Sequence, residues 1–512
     1  MRRWLAAAVL AATGCSPPSP VATHVDSRGC AACHGAIAKT YSETAMAQAF
    51  YRATPATMGA NGTTGRFEHK ASGRSYEVFE RGGRYFQSRS EKGRYLIERE
   101  IHYVMGSGRH EGTFIHRTAQ GRLAEMPLGW YADKGGFLAM SPGYDRADPL
   151  DFRRKISYDC MFCHNAYPAV AAGADAPSAE PEFPAVLSEG IDCQRCHGPG
   201  SVHVASGGRG SIVNPARLGP ERAMEVCMQC HLETTSRALP NSLVRFGRGA
   251  FSYRPGEALG EFVLHFDDTG RADKFEIVSS VYRLRQSRCF LESKGKLGCT
   301  TCHHPHDVPR AAAARVAYAK ACSSCHGSIA LAAHPKGADC AGCHMPRRRT
   351  EDVVHAVMTD HKIVRRPPAG DLLAVLPEAA GPDYRGEVSL YYPAAARDRE
   401  MYLAVAQVAQ KSNLKGGIPR LEALRSKEPV VLFALAQAYE AEGNLRLAET
   451  RYREAGSAPA MRKLGELLQR QGRSLEALGV LEKAGGDAGA MYSLGVVYRD
   501  LGRDTRITIT GG

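Results

Sequence analysis

The rhythm of apolar and polar positions changes four times along the 512-residue chain. A first apolar run, Trp4 to Ala12, follows Arg2 and Arg3 and ends in small residues before Cys15, the order of an export signal. It is far shorter than the roughly 20 residues a membrane-spanning helix needs. Between residues 74 and 105, apolar and polar positions alternate, and Gly82-Gly83 and Gly93 interrupt the runs. That pattern predicts a small antiparallel meander. From 160 to 344 neither the strand nor the helix period persists, so only short helices are expected there. From about residue 396 the helical period takes over in alanine- and leucine-rich segments. The expected fold class is therefore mainly α, with little regular structure in the middle, a small antiparallel β insertion at about 63–150, and a helical C-terminal part.

Cysteine placement explains the irregular middle. Fourteen of the 16 cysteines fall in seven frames of one kind: Cys30/Cys33/His34, Cys160/Cys163/His164, Cys193/Cys196/His197, Cys227/Cys230/His231, Cys299/Cys302/His303, Cys322/Cys325/His326 and Cys340/Cys343/His344. Each reads Cys-x-x-Cys-His. Two thiols at this spacing form thioether bonds to the two vinyl groups of one haem, and the adjacent imidazole becomes an axial iron ligand. A zinc site has no use for a histidine directly after every pair. The implied cofactors are seven covalently bound haem c groups. Six frames within 160–344 leave too little chain for an ordinary core around each. Porphyrin must itself fill the interior.

Haem attachment of this kind follows export, in agreement with the N-terminal segment. Ala12-Thr-Gly-Cys15 resembles a bacterial lipobox, which makes Cys15 a lipidation site and implies an outer-membrane lipid anchor and a periplasmic or outer-membrane-associated location. Cys289, outside every frame, is read as a buried thiol near the fifth haem. The formal net charge of +13 invites a nucleic-acid reading. Fourteen haem propionates nearly cancel it, and no nucleic-acid partner is expected. Arg153-Arg154-Lys155 and Arg347-Arg348-Arg349 are read as propionate partners.

Twelve histidines remain for the sixth iron positions. His203, His306, His334, His355 and His361 stand close to frames. His110 and His116 lie in the glycine-rich stretch Gly106 to His116, which permits close approach to a cofactor. These seven are the candidate distal ligands. With two imidazoles on each iron, electron transfer is favoured over catalysis, which needs an open position.

The runs Tyr103-Val-Met-Gly-Ser-Gly, Trp130-Tyr131, Met140-Ser-Pro-Gly-Tyr144, Gly190-Ile-Asp-Cys193-Gln-Arg-Cys196-His197-Gly-Pro-Gly200 and Thr359-Asp360-His361 resemble a family of bacterial multihaem cytochromes c with C-terminal tetratricopeptide repeats. More distantly, they resemble the superfamily of cytochrome c nitrite reductases and hydroxylamine-oxidising cytochromes. The wider resemblance implies a possible catalytic haem, but the chain has no Cys-x-x-Cys-Lys frame. Segments around Ala434–Tyr439, Lys463–Leu468 and Ser493–Tyr498 recur with glycine turns at Gly443, Gly472 and Gly502, which resembles shortened tetratricopeptide repeats. The expected organisation is an export signal at 1–15, a multihaem cytochrome c domain at 16–370, a linker at 371–395 and a tetratricopeptide-like solenoid at 396–512 whose last repeat is incomplete. The expected function is electron transfer between redox partner proteins, docked through the repeats. One alternative is a reductase or oxidase of a small nitrogen or sulfur compound at one open haem near Arg109, His110, Tyr131 or Tyr144. Another is an assembly scaffold that carries haems.

Overall fold

A computed structural model describes residues 22–502, apart from 60–62, 171–174, 176–180, 236–240, 271–272, 308, 332–333, 335–338, 379–385 and 486–487. The export segment with Cys15 and the run 503–512 lie outside the described residues. No described helix is long and apolar enough to cross a membrane.

The insertion holds ten strands: β1 (Phe50–Arg52), β2 (Gly65–His69), β3 (Arg74–Arg81), β4 (Arg84–Glu91), β5 (Arg94–Ile101), β6 (Tyr103–Met105), β7 (Glu111–Arg117), β8 (Leu123–Tyr131), β9 (Phe137–Met140) and β10 (Arg154–Lys155). They form two antiparallel sheets, β2-β3-β4-β5 and β1-β6-β7-β8-β10 with β9 on β8. One small meander was expected between 74 and 105. The second sheet escaped that reading because β8 is buried along nearly its whole length, so its residues do not alternate. Gly82 and Gly83, at φ 63° and 78°, close the β3–β4 hairpin in the left-handed region that a two-residue turn requires. Buried Gln87 of β4 bridges the two sheets: its Oε1 accepts from Leu128 N at 3.0 Å and its Nε2 donates to Leu128 O at 3.3 Å.

Glu111 of β7 sits beside this core with one side-chain donor, Thr113 Oγ1 at 3.1 Å. Burial, with nearby Glu125 adding to it, pushes the Glu111 carboxyl up from 4.5 to about 7. A raised folded-state value means that the stabilisation is present below pH 4.5 and lost as pH rises through 7. The loss amounts to about 3 kcal/mol above neutrality. Glu111→Gln is therefore expected to stabilise the protein at pH 8 and leave it unchanged at pH 4, as read from denaturation midpoints at the two pH values.

The frames that follow lie on short helices, Tyr158–His164, Gln194–His197, Cys299–Cys302 and Cys340–His344, and at the end of the longer Pro220–His231. The helix Ala311–Leu331, which carries the sixth frame, is long only across a break at Gly327. Aromatic side chains, among them Tyr158, Phe162, Phe251, Tyr253 and Phe262, pack between the second and fourth frames. Strands β11 (Ser242–Val244) and β12 (Val263–Asp268) pair with each other, and β13 (Arg347–Arg349) pairs with β14 (Val357–Thr359). β15 (Val388–Tyr392) pairs with β12. Part of the stretch read as a linker is thus a sheet strand, because Val388-Ser-Leu-Tyr-Tyr392 is rich in residues that fit a half-buried pleat.

The C-terminal region consists of helices Arg399–Val408, Leu414–Ala423, Pro429–Glu442, Leu445–Ala455, Ala458–Arg470, Ser474–Leu481 and Ala488–Asp500. Each packs on its neighbour in sequence around one apolar cluster that includes Leu435, Tyr439, Tyr452, Leu464, Leu468 and Leu481. Phe266, Val388, Tyr402 and Leu403 join this region to the β12–β15 sheet. Gly465 lets two helices approach closely, and a Cβ there would overlap the Leu481 side chain. Gly465→Val is accordingly expected to cost about 1–3 kcal/mol by overpacking. Loss of the helical circular dichroism signal at a lower denaturant concentration would show it.

Candidate functional site

Four of the frame histidines have the imidazole of a second histidine close by. The ring centroids are 6.5 Å apart for His34 and His203, 5.9 Å for His197 and His306, 6.1 Å for His303 and His361, and 5.8 Å for His344 and His334. Metal–imidazole bonds of about 2 Å on each side of one ion, with the ring radii added, place trans imidazoles about 6 Å apart. The planes are within 11° of parallel in the first two pairs and inclined by 34° and 53° in the others.

Backbone carbonyls orient these rings. The Nδ1 atoms of His197, His203, His344 and His361 donate to Val213 O, Gly210 O, Val364 O and Thr359 O at 2.8, 2.9, 2.8 and 3.1 Å. His164 does the same toward Ala49 O at 3.3 Å. A proton held at Nδ1 leaves the Nε2 lone pair for a metal. Burial pushes the imidazoles of His164, His231, His303 and His306 down, and burial together with neighbouring His303 takes His361 to about 4. Each is neutral at physiological pH, the form that ligates iron.

The remaining candidates sit elsewhere. His116 Nδ1 donates to Glu100 O at 2.9 Å, and its ring lies 5.2 Å from that of His102. His355 packs edge-on against Tyr131 and Phe137, at 5.0 and 5.7 Å. His110 lies against the backbone of Val357. Among the described residues none of these three stacks on a frame histidine. Strand pairing places His116 in β7 and His110 directly before it. In the arginine clusters, Arg154 pairs with Glu125 at 3.1 Å, Arg348 with Asp273 at 3.1 Å, and Arg349 with Asp133 at 3.1 Å. Cys289 is half-buried rather than buried, and it lies near Cys302 and Cys325, between the fifth and sixth frames.

The frame thiols themselves are not uniformly interior. Cys33, Cys325 and Cys343, the second thiols of the first, sixth and seventh frames, are exposed, whereas the other frame cysteines are half-buried. The difference has a physical reason. The helices that carry the first and seventh frames, Arg28–Ala31 and Cys340–His344, have no buried residue and lack the aromatic packing that surrounds the second and fourth. Polypeptide does not enclose Cys33, Cys325 and Cys343. Their access to a vinyl group is correspondingly unobstructed, and the spacing to Cys30, Cys322 and Cys340 is the one that attachment requires.

The thiols trace how the frames neighbour one another. Cys30 lies beside Cys193, Cys163 beside Cys230, Cys227 beside Cys299, and Cys322 beside Cys340. The first frame therefore adjoins the third, the second and fifth adjoin the fourth, and the sixth adjoins the seventh.

The surroundings fit haem. Ile37 and Val204, next in the chain to the first imidazole pair, are 46% and 44% exposed, and Leu291 and Val316, which flank the fifth and sixth frames, are 60% and 71% exposed. A macrocycle would cover such apolar surface. A cavity of about 430 Å³ opens on His197, Val213, Arg254 and Pro255. Arg195 Nε and Nη1, Asn165 Oδ1 and His24 Nε2 are buried polar atoms without partners near the second and third frames. Among the described residues no group of three or more His, Cys, Asp or Glu side chains can hold a metal ion by itself. Two neighbouring imidazoles suit an iron whose other four ligands come from a porphyrin.

Sequence reasoning missed Arg195, although its place inside the third frame was visible, and it missed the contact of Asp360 with Arg283. Arg283 Nε and Nη2 donate to the two Asp360 oxygens at 2.9 and 2.6 Å, with both side chains buried.

Comparison with known proteins adds a local match and a distant one. The family described as Doubled CXXCH motif matches residues 293–331, which contain the fifth and sixth frames. No curated protein matches the chain. Among solved structures, the crystal structure of the outer cell wall cytochrome OcwA is similar at 15% identity, covering 84% of this chain and 99% of that one, with a TM-score of 0.40. The matched doubled motif, repeated in kind along the chain, supports a multihaem c-type cytochrome with covalently bound haem c.

Proposed function

We propose that the protein is an exported heptahaem c-type cytochrome that passes electrons between redox partner proteins through closely neighbouring haems. The observation that carries this reading is the set of four close imidazole pairs at 5.8–6.5 Å. The chemistry that haem c supplies when bound is one-electron exchange at iron. Each cysteine pair fixes one macrocycle. His34, His164, His197, His231, His303, His326 and His344 would ligate the irons, and His203, His306, His361 and His334 would supply a second imidazole at the first, third, fifth and seventh sites. Carbonyls such as Val213 O and Val364 O keep the Nδ1 protons in place. Aromatic residues between the second and fourth frames exclude water, which tunes potential.

Export follows from the covalent attachment chemistry, and Cys15 is the proposed lipid anchor to the outer membrane. The C-terminal helices act as tetratricopeptide-like repeats that dock a redox partner. Deleting 396–512 is the test of that docking role, and electron transfer that stays intact with every partner would refute it. The second reading, a reductase or oxidase of a small nitrogen or sulfur compound, attaches to the second, fourth and sixth sites, where no second imidazole pairs with His164, His231 or His326 among the described residues. Electron paramagnetic resonance of the oxidised protein across a redox titration decides between them. Electron transfer alone predicts low-spin ferric signals throughout. A high-spin signal, with turnover of nitrite, hydroxylamine or tetrathionate, would overturn it in favour of the second reading.

A further inference from the structure

Arg195 is 1% exposed and touches three frames at once. It belongs to the third, Cys193-Gln-Arg195-Cys196-His197. Its Nη2 donates at 2.7 Å to the carbonyl of Phe162, inside the second frame, and the Cys230 thiol of the fourth frame lies 3.9 Å from the same carbonyl. Gln229, also in the fourth frame, donates to the Arg195 carbonyl at 3.1 Å. The guanidinium lies 4.1, 4.8 and 5.9 Å from the ring centroids of Phe162, Tyr167 and Phe251. Its Nε and Nη1 have no partner.

No carboxylate forms an ion pair with it among the described residues. The acid nearest in sequence, Asp192, accepts from the backbone N–H groups of Gln194 and Arg195 at 3.0 and 3.2 Å. Arg283 and Arg349 are buried as well, but both face carboxylates. Burying a cation whose neighbours are a carbonyl, aromatic rings, the Cys230 thiol and the Tyr167 hydroxyl, with no carboxylate paired to it, is costly, so such a charge calls for a compensating one in the assembled protein. Reduction of ferric to ferrous haem adds one electron, makes and breaks no bond, and lowers the charge of the site by one. A nearby buried cation favours that state, and salt screens it little.

We infer that Arg195 is a positive charge shared by the second, third and fourth haem sites, where it stabilises their reduced forms and makes this junction the high-potential part of the chain. The inference rests on the electron-transfer reading above. Spectroelectrochemical titration of the full, haem-loaded protein tests it, with the haem count taken from intact mass. The unmodified protein should titrate in two groups, three of its seven haems at higher potential than the other four. Arg195→Gln keeps a donor for Phe162 O but removes the charge, and should make the oxidised-to-reduced ratio of the upper group at least tenfold larger at fixed potential, a fall of about 59 mV. Arg195→Lys, which keeps the charge, should restore most of it. An Arg195→Gln protein with seven haems and an unmoved upper group would overturn the inference. So would an unmodified protein without a group of three, which decides the matter even if Arg195→Gln fails to load. Purified protein without haem would instead sink the electron-transfer reading itself.

Discussion

Replacing Asp360 with Asn is expected to destabilise the protein by about 3 kcal/mol or more, the usual cost of removing one partner from a buried ion pair. Asp360 faces two guanidinium groups, since Arg348 Nη1 also approaches it at 3.2 Å. Asp273, which both arginines share, is half exposed and would be left to balance them alone. The same carboxylate accepts from Lys362 N at 2.9 Å and so holds the turn that presents His361 to His303. The loss should therefore be double. The denaturation midpoint falls, and the fifth haem site loses its fixed sixth ligand, seen as a partial high-spin signal at neutral pH. Arg283→Lys should be nearly as damaging, because an ammonium cannot make both bonds of the fork.

His306→Ala should have a large spectroscopic effect for a substitution outside the frames. His306 follows the fifth frame but faces His197 of the third at 5.9 Å with planes 9° apart. Its removal opens one iron, so one high-spin ferric signal should appear while the other sites keep theirs, and a small exogenous ligand such as cyanide should abolish it. His116→Ala is the matched control. Its ring is bound to Glu100 O, and the axial spectrum should not change. A high-spin signal from His116→Ala, with none from His306→Ala, would reverse the assignment made here.

The seven frames were legible because their chemistry is local: two thiols and an imidazole within five residues. How deeply each frame sits was not, and the exposed Cys33, Cys325 and Cys343 differ from the half-buried Cys163 and Cys230 through packing by segments far away in the chain. The imidazole pairs were only partly legible. His203, His306, His334 and His361 were picked out for lying near frames, but which iron each one serves depends on contacts between distant segments, as when His203 reaches back to His34. His110, His116 and His355 met comparable local criteria and lie elsewhere, because the β insertion claims them. Within the insertion read at about 63–150, only one meander was picked out, since a strand buried on both faces shows no alternation. The pairing of Arg154, Arg348 and Arg349 with Glu125, Asp273 and Asp133 was not legible, because the partners are far from them in sequence. Arg195 shows the converse: its position inside a frame was plain, but its lack of a carboxylate partner is a property of packing.

Intact mass spectrometry of the purified, processed protein tests the central claim most directly. The account predicts the mass of the polypeptide without its export segment plus that of seven haem groups, retained after denaturation because the bonds are covalent. A mass without haem, or haem that leaves on denaturation, would contradict it.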